Sequence, residues 1–226
     1  MSHRHDRSFS WARFDELPVV GIVRGFATAT LADAVAAARA GGLRCVEITM
    51  NSPDAATQIA LLARSFGTDM NVGAGTVCSL DALERARAAG ASFIVTPVLV
   101  PEVVAAARKA GLTVFPGAMT PTEVFTAWKL GADLVKVFPA SVLGPEYIRD
   151  LKAPLGDVRL MPTGGIGVEH IAAYTQAGAD GFGVGSPLFD RARIEAGDWA
   201  WIEARARSFA SAYSAAKQGR SSHVGS

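Results

Sequence analysis

Leu130-Gly131-Ala132-Asp133-Leu134-Val135-Lys136-Val137-Phe138-Pro139 decides how the rest of this chain is read. Its first half is a helix end: an Ala-rich run stops at a glycine, and a β-branched strand follows at once. Gly suits the left-handed cap that closes a helix before a tight helix-to-strand turn. Its second half is a short apolar strand closed by proline, with one lysine in the middle. An ammonium is rarely buried without a partner. The chain has five lysines. Lys109 and Lys129 lie near predicted helix ends, Lys152 on a polar helix turn and Lys217 in the tail, all ordinary solvated settings. Lys136 has no such setting. It is either one half of a structural ion pair or an amine whose pKa is lowered by desolvation, a nucleophile able to form a Schiff base.

The Gly-then-strand unit recurs. Ala40-Gly41-Gly42-Leu43, Ala89-Gly90-Ala91-Ser92-Phe93, Ala110-Gly111-Leu112-Thr113-Val114 and Ala177-Gly178-Ala179-Asp180-Gly181-Phe182 repeat it. The spacing is roughly 20–25 residues or about twice that, the size of a strand–helix unit. Strands are expected near 18–24, 44–49, 71–75, 92–96, 113–116, 133–138, 157–161 and 180–184. Helices are expected near 29–40, 53–66, 79–89, 100–110, 121–130, 145–152, 168–177 and 198–216. Helix starts are signalled by Asn51-Ser52-Pro53, Ser79, Thr120-Pro121-Thr122-Glu123 and Gly144-Pro145-Glu146. The last helix carries an apolar stripe at Trp199, Ile202, Ala206, Phe209 and Tyr213. With no linker and no composition shift, the pattern predicts one α/β domain, a (β/α)8 TIM barrel over 11–217. An open eight-stranded sheet is the other arrangement. Residues 1–10 and 218–226 are polar and expected to be disordered tails.

Bulk composition narrows the classes. The chain has 226 residues, half of them hydrophobic, and a formal charge of +1 from 22 basic and 21 acidic residues. That balance disfavours a nucleic-acid surface. Cys45 and Cys78 suggest reduced intracellular residues and no disulfide framework. No apolar run approaches a membrane span, and Met1-Ser2-His3-Arg4-His5 has no apolar signal region. A cytoplasmic enzyme is expected. His3, His5 and His223 lie in the tails and His170 opens a helix. No group has metal-ligand spacing, so a mechanism without metal or other cofactor is expected.

In a parallel barrel, chemistry sits at the C-terminal strand ends. Side chains alternate between faces of a strand. Lys136 therefore shares a face with Leu134 and Phe138, and Glu47 with Cys45 and Thr49. The opposite faces, Val135 with Val137 and Val46 with Ile48, suit packing on helices. Lys136 and Glu47 are predicted to point inward, as nucleophile and proton shuttle or as a buried ion pair. Arg24 ends the first strand, where it could clamp a carboxylate or form a rim salt bridge. Gly73-Ala74-Gly75-Thr76 ends the third strand with small residues. Gly164-Gly165 and Gly185-Ser186 follow the seventh and eighth strands, the usual phosphate site of this fold. The implied ligand is a small phosphorylated carbonyl compound.

Taken together, Val46-Glu47-Ile48-Thr49, Val72-Gly73-Ala74-Gly75-Thr76-Val77, Val95-Thr96-Pro97, Phe115-Pro116-Gly117, Val135-Lys136-Val137-Phe138-Pro139-Ala140, Pro162-Thr163-Gly164-Gly165-Ile166 and Gly185-Ser186 resemble the KDPG/KDPGal aldolase family, the class I 2-dehydro-3-deoxy-phosphosugar acid aldolases. The segments run in family order from about residue 17 to 213. The resemblance implies a carbon–carbon lyase with Lys136 as Schiff-base lysine and Glu47 as general acid/base. It implies Arg24, Thr76 and Pro97 around pyruvate and the carboxylate, and Gly164, Gly165, Gly185 and Ser186 around phosphate. It implies a homotrimer. The first-strand arginine, with Asn51 two residues after Thr49, looks like the galactonate branch. Thr163 before the Gly-Gly pair looks like the gluconate branch. The reaction implied is reversible cleavage of 2-dehydro-3-deoxy-6-phosphogalactonate to pyruvate and D-glyceraldehyde 3-phosphate. The alternatives are the gluconate epimer (KDPG) or 4-hydroxy-2-oxoglutarate as substrate, a phosphate-binding isomerase or synthase without a covalent intermediate, and a non-catalytic trimeric barrel.

Overall fold

The structure is a computed structural model and describes residues 8–223. The expected tail segments 1–7 and 224–226 lie outside the described residues. The elements in chain order are α1 (Trp11–Glu16), β1 (Val19–Val23), α2 (Thr28–Ala40), β2 (Cys45–Thr49), α3 (Ala55–Phe66), β3 (Asn71–Gly75), α4 (Leu80–Ala89), β4 (Phe93–Val95), α5 (Pro101–Lys109), β5 (Thr113–Phe115), β6 (Gly117–Ala118), α6 (Pro121–Lys129), β7 (Val135–Val137), α7 (Gly144–Lys152), β8 (Leu160–Pro162), α8 (Ile171–Gln176), β9 (Phe182–Val184), α9 (Arg191–Glu195) and α10 (Trp199–His223). No helix among the described residues is long and apolar enough to cross a membrane.

Local sequence explains the elements. Ser79 caps α4 by accepting from Ala82 N, and Thr120 and Glu123 form a reciprocal capping box on α6. Gly90 and Gly131 end their helices at φ 93° and 90°, a region a Cβ disfavours. Gly42, Gly111 and Gly178 make the same positive-φ turn.

All strand pairings are parallel. One sheet has six strands in the order β5-β4-β3-β2-β1-β9, and the other has three, β6-β7-β8. The predicted fifth strand is thus β5, and β6 is a second piece just past its expected end. Pro116 between them has no N–H, and Gly117 N donates to Thr96 Oγ1 at 3.1 Å rather than to a strand carbonyl. Lys136 N still reaches Pro116 O at 2.9 Å. At the other margin a single parallel bridge joins Thr163 and Gly183.

The alternation of strand residues separates two apolar clusters. Val46, Ile48, Val72, Ala74, Val135 and Val137 pack with the helices in the larger one. Val20, Cys45, Phe93, Val95, Phe115, Leu134 and Met161 face the enclosed side and form the smaller one. This second cluster is completed from the N-terminus. Phe9 stands 5.4 Å from Phe93 and 5.6 Å from Phe115, ring centroid to centroid. Ser10 and Asn71 exchange two hydrogen bonds of 2.8 and 2.9 Å. The segment 8–10, expected as part of a disordered tail, is instead a plug, because one large ring finds an apolar floor and buried Asn71 holds the backbone over it.

Two further expectations are corrected. Residues 218–223, assigned to the C-terminal tail, continue α10. Ala215-Ala216-Lys217-Gln218 are good helix formers, so the helix does not stop where the apolar stripe ends. Lys152, read as solvated, donates to Val158 O and Asp180 Oδ2, each at 2.7 Å. The stripe of α10 packs as expected, with Ile202, Ala206 and Phe209 buried.

Candidate active site

Strand register sets the site. Glu47 on β2 pairs across with Ile22 and Gly73, and Lys136 on β7 with Gly117 and Met161. Glu47 lies one inward position beyond Cys45 and Lys136 one beyond Leu134, both members of the enclosed apolar cluster. Lys136 is 5% exposed and Glu47 is 1% exposed. Neither forms an ion pair within 4 Å among the described residues, although each feels the other's charge. The ion-pair alternative therefore has no contact to rest on. Burial pushes the Lys136 amine below its usual 10.5. Glu47 opposes this and Arg24 adds to it. Burial likewise pushes the Glu47 carboxyl above 4.5, against Lys136 and Arg24. Both shifts favour the uncharged forms. Glu47 Oε2 is buried with no hydrogen-bond partner among the described residues, an acceptor held in reserve.

Glycine makes room for this carboxyl. A Cβ on Gly75 would stand 2.3 Å from Glu47 Oε1. The next residue, Thr76, has φ 55°, a left-handed conformation that a β-branched residue rarely adopts. Such outliers concentrate at functional sites.

A cavity of about 340 Å³ opens over Lys136. Arg24, Pro97, Lys136 and Thr163 line it. Gly164, Gly165, Gly185 and Ser186 form one wall. At the Gly164–Gly165 turn a side chain is disfavoured by conformation and, at Gly165, by space. Gly164 and Gly165 have φ 97° and 73°, and a Cβ on Gly165 would meet Ser141 Cβ at 2.9 Å. Lys136 Nζ lies 5.2 Å from the Phe138 ring centroid. Three expected residues do not line the cavity. Glu47 is beneath it, Thr76 is half-buried beside Gly75, and Asn51 is exposed on the turn after β2.

The rim is fastened by a residue with a different expected use. Ser52, read as part of a helix start, leaves α3 uncapped by a side chain. Its Oγ instead meets Thr49 Oγ1 and accepts from Gly25 N, both at 2.9 Å, tying the Arg24–Gly25 turn to β2. Sequence reading also missed Arg191 and Phe26 in the lining. Arg191 lies past the glycine loop in no motif, and Phe26 follows a strand end without periodicity.

Cys45 is inert by comparison. Its thiol is fully buried and pushed up to about 12 by that burial. Among the described residues no three His, Cys, Asp or Glu side chains gather as metal ligands.

A lysine whose burial lowers its amine's pKa, a buried carboxyl whose pKa burial raises and a cavity over the amine suit covalent catalysis on a carbonyl. Comparison with known proteins agrees with that class. The model of the family "Aldolase: KDPG and KHG aldolase" matches residues 12–205. The 2-dehydro-3-deoxy-6-phosphogalactonate aldolase of Escherichia coli (strain K12) is 38% identical over 175 residues, covering 77% of this chain and 85% of its own. A solved native KDPGal structure superimposes with a TM-score of 0.84 at 36% identity, over 89% of this chain and 97% of its own. The KDPG aldolase of Legionella pneumophila, solved with pyruvate captured at low pH as a covalent carbinolamine, gives 0.79 at 26% identity, over 88% and 96%. The chain belongs to the KDPG and KHG aldolase family. It is an enzyme, a class I aldolase that breaks and makes a carbon–carbon bond.

Proposed function

We propose that Lys136 is the Schiff-base residue of an aldolase that cleaves 2-dehydro-3-deoxy-6-phosphogalactonate to pyruvate and D-glyceraldehyde 3-phosphate. The observation that carries this reading is Lys136 itself: 5% exposed, without a counter-ion within 4 Å among the described residues, and at the floor of the cavity. In the proposed order of events both groups start uncharged, the direction in which burial shifts each of them. The neutral amine attacks the C2 ketone. Protonated Glu47 gives its proton to the departing carbinolamine oxygen, which leaves as water. The iminium forms as Glu47 becomes a carboxylate, so opposite charges appear together. That carboxylate then takes the C4 hydroxyl proton and the C3–C4 bond breaks, with its electron pair drawn into the iminium as an enamine. The aldehyde leaves. Protonation at C3 and attack by water release pyruvate and restore the amine. The iminium is the electron sink, so the proposed reaction needs no metal.

Arg24 and Thr76 are assigned to the substrate carboxylate and Pro97 to the pyruvate wall. Gly164, Gly165, Gly185 and Ser186 are assigned to the phosphate through backbone N–H groups. Thr163 and Asn51 are assigned to C4 stereochemistry. Among the described residues Thr163 Oγ1 donates to Met161 O alone, at a long 3.3 Å, which supports a hydroxyl free to turn toward substrate.

The two sheets are proposed to be arcs of one closed (β/α)8 barrel. The single residue between β5 and β6 and the Thr163–Gly183 bridge support closure at both seams. A homotrimer in the cytoplasm is the proposed working form. Val98, Met119, Phe125 and Val142 are exposed large apolar side chains of the kind that subunit packing would cover. Light scattering tests the trimer.

Borohydride reduction with pyruvate tests the central assignment. A reduced pyruvate adduct should appear by mass on Lys136. An unchanged mass, or an adduct on another lysine, refutes it.

A further inference from the structure

The charged side chains that line the cavity are Arg24, Lys136 and Arg191, with no carboxylate among them. The proposed function uses the first two and leaves Arg191 without a role. Its guanidinium is held only loosely. Nη1 lies 3.5 Å from Glu195 Oε1, Nη2 lies 3.4 Å from Gly25 O, and the group stands 5.0 Å from the Phe26 ring centroid. Both hydrogen bonds are at the long limit of that interaction, and an exposed pair four residues apart on a helix contributes little. The neighbouring carboxylate is engaged elsewhere: Asp190 Oδ1 accepts from Arg193 N at 2.9 Å. Arg191 is thus a cation with uncommitted donors. It joins the Arg24–Gly25 turn to α9 and lines the same cavity as Gly185 and Ser186.

Backbone N–H groups position an anion but carry no net charge. A phosphate monoester brings a charge near −2 at neutral pH. A guanidinium can meet two of its oxygens at once, with charge-assisted bonds stronger than those to Glu195 and Gly25.

We propose that Arg191 is a binding residue for the distal phosphate and sets the preference of this enzyme for phosphorylated over unphosphorylated 2-keto sugar acids. On substrate entry the guanidinium exchanges its two long contacts for the phosphate oxygens. The Gly165 and Ser186 wall holds the opposite side of the group. The inference rests on the aldolase reading above, and its test separates the two.

Wild type, Arg191→Ala and Arg191→Lys are compared on 2-dehydro-3-deoxy-6-phosphogalactonate and on the same acid without phosphate, with pyruvate trapping measured on each. In the Ala variant KM for the phosphorylated substrate should rise about 10- to 100-fold, the effect of losing charge-assisted bonds. kcat, the unphosphorylated reaction and trapping should stay within about twofold of wild type. The Lys variant should recover part of the KM as a point charge. Equal loss on both substrates, or no change on either, overturns the inference while trapping still supports the aldolase. Titration with inorganic phosphate gives a readout independent of turnover. Unaltered affinity in Arg191→Ala overturns the assignment, and weakened affinity supports it even if wild type traps no pyruvate.

Discussion

Replacing Lys136 by methionine separates a structural lysine from a chemical one. Methionine keeps the length and apolar stem and removes the charge. If Lys136 held the fold through an ion pair, breaking it would destabilise by about 3–5 kcal/mol. Lys136 has no ion-pair contact within 4 Å among the described residues and is 5% exposed. Exchange of such a group for a hydrophobe of similar size should be neutral or stabilising by about 1–4 kcal/mol. At this chain length about 1 kcal/mol shifts Tm by about 2–4 °C. The expected change is therefore between none and a rise of about 16 °C, against a fall of about 6–20 °C for the ion pair. The pH dependence gives a second signature. Burial holds folded Lys136 below 10.5, so the unfolded chain binds this proton better. The stability contributed by the neutral amine is complete above pH 10.5. It is lost as pH falls toward the folded pKa, at about 1.4 kcal/mol per pH unit. Methionine has no such loss, so its margin over wild type should widen as pH falls from 10.5 through that window. Urea melts of both proteins from pH 7 to 10, with pyruvate trapping alongside, measure all of this. A destabilised variant, or a margin that narrows as pH falls, refutes the reasoning. Trapping must vanish in either case.

Three further perturbations follow from the same geometry. Gly75→Ala puts a Cβ about where Glu47 Oε1 now lies, 2.3 Å away. Turnover should fall at least tenfold while circular dichroism stays native, and normal kcat would remove Glu47 from the mechanism. Thr163→Val deletes the hydroxyl beside the substrate's proposed C4. The ratio of kcat/KM for galactonate and gluconate epimers should shift toward galactonate, by about 3- to 30-fold for one hydrogen bond; an unchanged ratio assigns epimer choice to other residues. Phe9→Ala should cost about 3–5 kcal/mol as a core aromatic truncation, read by urea melts with kcat preserved. A loss below 1 kcal/mol would return this segment to the status of a tail.

What could be read from sequence was what local chemistry dictates. The Gly-capped helix ends announced the strands, because a positive-φ turn leaves few alternatives. Period-two alternation placed Glu47 and Lys136 on the enclosed face, and the large cluster of Val46, Ile48, Val135 and Val137 on the other. The glycine pairs after the seventh and eighth predicted strands marked the cavity wall. What was missed depends on partners far along the chain. Phe9 is one ring in a polar segment, and its floor comes from β4 and β5. Ser52 carries a helix-start signal but is drawn to Gly25, 27 residues away. Lys152 meets Asp180 across 28 residues. Arg191 has no periodicity or motif to mark it. The break at Pro116 needed the competing acceptor on Thr96, which only the packed structure supplies.

The enclosed side of the sheets is layered, and the layers do not overlap. None of the rings and aliphatic groups from Phe9 to Met161 that fill its floor lines the cavity, and the cavity residues with a proposed specificity role, Thr163 and Arg191, lie outside that cluster. Heat tolerance and substrate range therefore answer to different codons. A library at positions 24, 51, 163 and 191 can explore new sugar acids without eroding the floor. Redesign at 9, 93 and 115 can harden the protein without retuning the amine.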